Sequence, residues 1–449
     1  MSKQITLVGA GLVGSLLSIF FRRAGYAVHL IERRGDMRTQ SVGAGRSINL
    51  AISTRGLHAL AQVGLEERVL KHCIPMTGRQ VHLTDGSSNF QAYGRDETEC
   101  IRSLSRGKLN EILLGAAESE GVSLEFNKRV VGMDLFRNLL ICEDERNAKI
   151  SEMHFETVLG TDGSASAIRG ELMKLPLRDY SQQHLKHGYK ELVLPAGPNG
   201  AYQLKANALH IWPRGEFMLI ALPNEGGSFT CTLFLKYQAS DQSPGFDQLQ
   251  SALDVKGFFQ EYFKDVLNLI PDLAEQFLEN PTGHMCTVKS GPWHFQDKAL
   301  LVGDAAHAIV PFFGQGMNCG FEDCEALGEL LSNKKALEKC FEEFFVARKI
   351  NTDAIADMAV ENFVEMSSKV ADPVFLLKKE IEKRLQKEFP DQFLSRYSAV
   401  SFSRMPYSEA LDLGRRNEDL LQRLAAGVKS ASELDSKTLR KILGQVLGH

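Results

Sequence analysis

The sequence lacks most of the features that would settle its class at once. Its eight cysteines, Cys73, Cys100, Cys142, Cys231, Cys286, Cys319, Cys324 and Cys340, are scattered and form no CxxC pair. This excludes a disulfide scaffold and a zinc-ligand spacing, and it predicts reduced thiols in a cytoplasmic protein with no bound metal. Long apolar runs are missing too. The longest, Leu7 to Phe21, contains three glycines, is too short for a bilayer and ends at Arg22-Arg23, so no membrane span is expected. Neither sign of charge dominates: 52 Lys and Arg stand against 56 Asp and Glu, for a net charge of −4. Without a basic stripe, nucleic acid is excluded as a partner. The N-terminus enters KQITLVGAG directly, with no basic lead or cleavage site of a signal peptide. Repeats and low-complexity segments are absent. What remains, 449 residues with 43% apolar and 24% charged content, is a globular chain with room for two or three domains.

The first positive signal lies at residues 4 to 34. A short apolar run, ITLV, leads into GAGLVG, an amphipathic helix to about Ala24 and a second strand, YAVHLIERR. Gly9, Gly11 and Gly14 form GxGxxG in the context that motif needs, after a strand and opening a helix. The glycines allow a tight turn and close approach of a pyrophosphate, whose charge sits at the positive end of the helix. Glu32 ends the second strand, 23 residues after Gly9, where a carboxylate can accept from ribose hydroxyls. Together these features predict dinucleotide binding.

A second stretch, Gly303 to Asp323, reads GDAAHAIVPFFGQGMNCGFED. The apolar run KALLVG delivers it as a buried strand would. The turn Phe313-Gly314-Gln315-Gly316 comes just before a helical pattern from Met317 to about Leu331. Backbone N–H groups at such a turn can face a flat polar ligand. The alternative, on the residues alone, is an ordinary strand-loop-helix connection with Phe312 and Phe313 in the core and Asp304 as a helix cap. His307 invites a general-base role, but its place in GDAAH argues for a structural one.

Between these stretches the pattern changes several times. SVGAGRSINLAIS reads as a glycine-bracketed loop and an extended segment before a helix near Thr54. RQVHL, NFQAYG and CIRSL read as strands around an Asp85-Gly86 turn. On residues alone, Arg79 belongs to a surface ion pair on the first of them. GTDGSASAIR repeats the acid-glycine signal at Asp162. From Tyr189 to Thr287 short strands dominate, with a helical break near residues 255 to 280, as in an antiparallel sheet inserted into an α/β frame. From about Ala336 the chain is helical, broken near Pro373, Pro390 and Pro406. Its tail, from Arg415 to His449, reads as an amphipathic helix packed on the body, since Glu and Asp dilute the basic face a membrane-surface helix would need.

Three acid-glycine signals in this order resemble the single-component FAD-dependent aromatic hydroxylases, over roughly residues 1 to 325. GRSINLAIS, SLSRGKLN and PFFGQGMNCGFEDC look like the members of that family that act on L-kynurenine. ENFVEM and FLSRYSAVSFSR extend the likeness to about residue 410. The implied fold is α/β: a Rossmann-like FAD-binding domain (1–75, 100–180 and 288–335), an inserted antiparallel-sheet substrate domain (76–99 and 181–287) and a C-terminal helical region (336–449).

The resemblance implies cofactor contacts at Gly9, Gly11, Gly14, Glu32, Arg33, Ala51, Arg106, Asp162, Asp304, Gly316, Met317 and Asn318. It implies that Arg79 and Tyr93 bind the substrate carboxylate, that Asn362 and Tyr397 close the pocket, and that Phe312, Phe313 and Gln315 lie beside the aromatic ring. The implied activity is hydroxylation of L-kynurenine by O2, with FAD as cofactor, NADPH as transient reductant and a flavin 4a-hydroperoxide as oxygen donor. No residue is assigned as acid or base, because the aniline nitrogen already enriches the ortho carbon in electrons. The alternatives are a hydroxylase of another small aromatic acid and a non-catalytic FAD-fold binding protein. Eukaryotic members carry a membrane anchor after the matching region, and the charged tail here leaves the membrane out of the expectation.

Overall fold

A computed structural model describes residues 3–39, 49–366 and 372–447. The chain forms two compact units. Met1–Cys73, Arg102–Leu185 and His284–Ala359 make the first, and Ile74–Ile101, Lys186–Gly283 and Val360–His449 the second. The helical region that the sequence places from residue 336 is shared between them, since the long helix Leu337–Val364 starts in one and ends in the other.

The first unit is built on a six-stranded sheet in the order His294–Phe295, Ala299–Leu301, Thr157–Gly160, Gln4–Val8, Ala27–Ile31, Ser123–Glu125. Every pairing is parallel except that of the short edge strand His294–Phe295. Parallel strands are covered on both faces, which is why ITLV and ALL read as unbroken apolar runs. Ile5, Leu7, Val158, Leu159, Leu300 and Leu301 are all buried. The helix Leu12–Arg23 packs against both Arg106–Ser119 and Gly316–Ser332, and Thr54–Gln62 packs on the latter. Register then sets the geometry of the site. Val8 pairs with Gly160, and Gly160 with Leu301, so three strands end level. The turns that follow them, at Gly9, Asp162 and Gly303, emerge side by side at the carboxyl edge of the sheet.

The second unit carries a mainly antiparallel sheet, with Asp179–Leu194, Phe229–Lys236, Phe217–Pro223, Ala208–Arg214, Gly78–His82 and Ser88–Ala92 in that order. Among these six strands, Gly78–His82 and Ala208–Arg214 pair in parallel and the rest antiparallel. Alternation along the strands puts Leu192, Leu194, Trp212, Phe217, Leu219, Phe229, Cys231 and Leu233 into one core with Phe258, Phe259, Phe263 and Phe277 from the helices Ala252–Tyr262 and Leu273–Glu279 and the chain between. Arg79 pairs with Leu209, and His210 with Ala221, so Arg79 lies on the face away from that phenylalanine-rich core. The tail folds as a separate cluster: Leu420, Leu421, Leu424, Leu439 and Leu443 pack on Ile381, Leu385, Phe389 and Phe393. Its apolar stripe is therefore spent on the protein, as the sequence reading expected. Among the described residues, no helix is long and apolar enough to cross a membrane.

Candidate active site

At the first glycine turn, backbone geometry dictates the residue type. Gly9 has φ 104°, and a Cβ there would lie 2.6 Å from the carbonyl oxygen of Thr161. A Cβ on Gly14 would come within 2.0 Å of the Gly9 carbonyl oxygen. Gly11 differs, because a Cβ on it would meet nothing within 4 Å. Its turn faces open space, and the helix Leu12–Arg23 begins without a side-chain cap. The first-turn N–H groups are thus left to an anion. Glu32 is buried beside them, with Oε2 accepting from Ala10 N at 2.9 Å and Oε1 from Arg34 N and Nε at 3.0 and 2.7 Å. Arg33 is exposed next to it. Asn110 Nδ2 donates to the Ala10 carbonyl at 3.1 Å and fixes the turn from below.

The second acid-glycine turn is anchored by its acid. Asp162 Oδ2 accepts from Ala167 N at 2.8 Å, while Oδ1 is buried and has no protein partner. Burial raises its carboxyl above the ordinary range, against the bonds from Ser166 and the backbone. Arg169, also buried, donates to the Ala305 carbonyl at 2.9 Å, tying this turn to the third.

In the third turn Gly303, at φ 65°, occupies the cap position of the short helix Asp304–His307, and no side chain caps it. The helix-cap alternative for Asp304 is therefore not realised: Asp304 is the first helical residue, and its carboxylate is exposed. Desolvation by the groups packed around its base raises its pKa, Asp323 adds to the rise, and Arg106 and His307 pull the other way. Arg106 itself is exposed at the start of Arg106–Ser119. Phe312 and Phe313 are buried in the 3-10 turn Pro311–Phe313, which Gly314 ends at φ 68°. Gln315 is buried at the cap of Gly316–Ser332, again without a side-chain cap bond. Gly316 and Met317 follow in the first turn. Asn318 is fully buried, and its side chain is consumed internally: Nδ2 donates to the carbonyls of Ala51 and Gly314 at 2.9 and 2.8 Å, and Oδ1 accepts from Ser53 N at 2.9 Å. Only its backbone N–H is left to face a ligand.

Behind this turn lies a buried charge network. His307 Nε2 is 2.6 Å from Asp323 Oδ2, and Arg348 Nε is 2.7 Å from Asp323 Oδ1. Arg348 reaches Glu322 at 3.3 Å, and Glu322 pairs with Arg55 at 2.6 Å. Burial disfavours the His307 charge, but Asp323 outweighs it and raises the imidazolium pKa to about 10. Burial likewise opposes the Asp323 anion, and His307 and Arg348 overcome it and hold its pKa below the usual value.

In the second unit, Arg79 sits 5.4 Å from the Tyr93 ring centroid and 5.6 Å from that of Tyr397, and the two phenol rings stack with centroids 4.9 Å apart. This is no surface ion pair. Burial opposes the Arg79 charge, but Tyr93, Tyr397 and Glu365 outweigh it and raise its pKa. Burial raises both phenols against the pull of Arg79, so they stay neutral donors. Asn362 is buried on the helix Leu337–Val364, three residues before Glu365, which pairs with Lys379 and Arg396 at 3.5 and 3.8 Å. The structure thus gathers Arg79, Tyr93, Asn362 and Tyr397 within one unit, and Phe312, Phe313 and Gln315 with the glycine turns in the other. Sequence reasoning missed Asp323, Arg348, Glu322 and Arg55 as partners. The available signal was the acidic run Glu322, Asp323 and Glu325 within a glycine-, cysteine- and leucine-rich helix.

Residues 2–186 and 284–336 match the family described as FAD binding domain. Two curated proteins named kynurenine 3-monooxygenase are close relatives. That of Myxococcus xanthus is 52% identical over 98% of this chain and 94% of its own length, and that of Dictyostelium discoideum 43% identical over 95% and 94%. Among solved structures, a tetrameric 2-methyl-3-hydroxypyridine-5-carboxylic acid oxygenase superposes with TM-score 0.67 at 18% identity, covering 84% of this chain and 95% of that one. It shares the fold. The residues present fit an FAD: an uncapped helix start at an open glycine, an acid at the end of the second strand, a buried unpartnered Asp162 oxygen and an exposed Asp304.

Proposed function

The chain belongs to the kynurenine 3-monooxygenase family, and from that membership we propose that it hydroxylates L-kynurenine at the ring 3-position with NADPH and O2, giving 3-hydroxykynurenine. FAD, reduced by NADPH, supplies the O2 activation. Everything else is binding and positioning. Glu32 accepts ribose hydroxyls, with Arg33 beside it. The N–H groups after Gly11 take the pyrophosphate. Asp304 accepts from the ribityl chain, with Ala51, Arg106 and Asp162 as further contacts. The backbone at Gly316, Met317 and Asn318 faces the flavin.

The observation that carries the substrate assignment is Arg79 beside a stacked pair of phenols, within reach of both. A guanidinium grips a carboxylate bidentately and neutral phenols add donors, which suits the amino-acid tail of kynurenine. Asn362 completes that group. Phe312, Phe313 and Gln315 hold the ring and keep water from the reacting face. No general base is required, and His307 is unsuited to be one: its proton is held by Asp323 up to about pH 10. Eight free cysteines support a reducing, cytoplasmic setting.

The test uses purified holoprotein, NADPH and air, with and without L-kynurenine, and mass detection of product. Kynurenine should accelerate NADPH oxidation and gain one oxygen. Oxidation that responds instead to another small aromatic acid would replace the substrate, and a protein that takes up no FAD would remove the class.

A further inference from the structure

The helical turn Asp304–His307 presents one exposed side chain, Asp304, while Ala305, Ala306 and His307 are buried. A lone turn has no stability of its own, because nucleation is unfavourable, so its shape must be imposed from outside. Three carbonyls at this turn are held. Gly303 O accepts from Ala306 N and His307 N at 2.8 and 2.9 Å. Ala305 O accepts from Arg169 at 2.9 Å, and Ala306 O from Ser290 Oγ at 2.7 Å. A single carboxylate oxygen then clamps both ends: Asp323 Oδ2 accepts from Gly303 N at 3.2 Å and from His307 Nε2 at 2.6 Å. The other oxygen, bound by Arg348 Nε at 2.7 Å, fastens the clamp to the helix Leu337–Val364.

We propose that Asp323 and His307 are positioning residues for FAD, acting through Asp304, whose carboxylate they aim by closing the turn that bears it. The inference rests on the FAD reading above. His307, Cys319 and Asp323 also cluster with ligand atoms within 4.8 Å of one another. A metal is not the better reading, because both Asp323 oxygens already serve cationic partners and Arg348 Nη2 lies 3.5 Å from Cys319 Sγ.

If His307 acts through Asp304, the two must be coupled, and a double-mutant cycle on FAD affinity reads that coupling directly. Apoproteins of the wild type, Asp304→Ala, His307→Leu and the double variant are titrated with FAD, following flavin fluorescence, with apoprotein melting as the folding control. Asp304→Ala, which removes the direct contact, and His307→Leu, which removes its outer partner, should each weaken FAD by about 10- to 100-fold. The double variant should bind no more than about threefold more weakly than Asp304→Ala. His307→Gln, which keeps a donor near Nε2, should stay within about threefold of wild type. If His307→Leu does not fold, His307→Asn, too short to reach Asp323, takes its place in the cycle. Losses that multiply in the double variant, or His307→Gln as weak as His307→Leu, would overturn the inference while leaving the FAD reading intact. A wild type that binds no FAD would overturn both.

Discussion

Asn318 joins two segments 267 residues apart: its Nδ2 donates to the Ala51 carbonyl at 2.9 Å, while its Oδ1 accepts from Ser53 N. The same amide also holds Gly314. One side chain therefore fixes the strand Asn49–Ile52, the turn at Gly314 and the start of Gly316–Ser332. Asn318→Ala would leave three backbone groups without that partner, each costing about 1–3 kcal/mol when buried. The expected loss is about 2–5 kcal/mol in urea unfolding of the apoprotein, with weakened FAD retention. A loss under about 0.5 kcal/mol would show that water replaces the amide.

The glycine turn separates structural from ligand-directed glycines. Gly14→Ala would force a Cβ to 2.0 Å from a backbone oxygen and should destabilise the apoprotein by about 1–3 kcal/mol. Gly11→Ala has open space and an ordinary φ of −72°, so its apoprotein should melt within about 0.5 kcal/mol of wild type. Its FAD affinity should nevertheless fall, because the added methyl lies where the pyrophosphate approaches. Equal FAD affinity in Gly11→Ala and wild type would move the phosphate elsewhere.

What the sequence made legible was local. Gly9, Gly11, Gly14 and Glu32 could be read because strand, turn, helix and strand follow one another within 30 residues, and the structure needs Gly9 and Gly14 for backbone reasons that a sequence pattern can express. Arg79 could not be placed by residues alone. Strand alternation says that Arg79 and Gln80 face opposite ways but not which way is in. The buried network was illegible for a different reason. Arg55, Glu322 and Arg348 are residue types that belong on surfaces unless paired, and their pairing partners lie 26 and 267 residues away. The packing of Thr54–Gln62 on Gly316–Ser332 brings Arg55 to Glu322, and Arg348 reaches the same acid from Leu337–Val364.

Substrate binding gives the third prediction. Arg79→Ala should cost about 2–5 kcal/mol in kynurenine affinity, as when one partner of a buried charged pair is removed. Arg79→Lys should recover only part of it, since an ammonium cannot form the two-point contact. Tyr397→Phe keeps the stack on Tyr93 and removes one donor, so it should cost about 0.5–1.5 kcal/mol. Titration by substrate-induced change in flavin absorbance measures all three. Unchanged affinity in Arg79→Ala would return Arg79 to a structural role.

Two buried histidines bend the pH dependence of stability in opposite directions. His210 lies in a chain of rings and bonds, 2.9 Å from His82 Nε2 and 2.9 Å from the Lys205 carbonyl, and burial lowers its pKa from 6.5 to about 4. The folded state refuses a proton that the unfolded state accepts, so its contribution is full above pH 6.5 and lost as pH falls toward 4. The loss is on the order of 3 kcal/mol. His82, stacked on Trp212 at 4.2 Å, is shifted the same way, by burial foremost. His307 is the reverse case: its folded pKa of about 10 lies above the ordinary 6.5, so its contribution is full below pH 6.5 and lost as pH rises toward 10. Urea midpoints of the apoprotein across this range should therefore fall on both sides of a maximum. His210→Gln should flatten the acid limb and leave the alkaline limb, while His307→Gln should do the opposite. If His307→Gln keeps the full alkaline slope, the imidazolium is not the group that titrates there, and Asp323 would be answering to Arg348 alone.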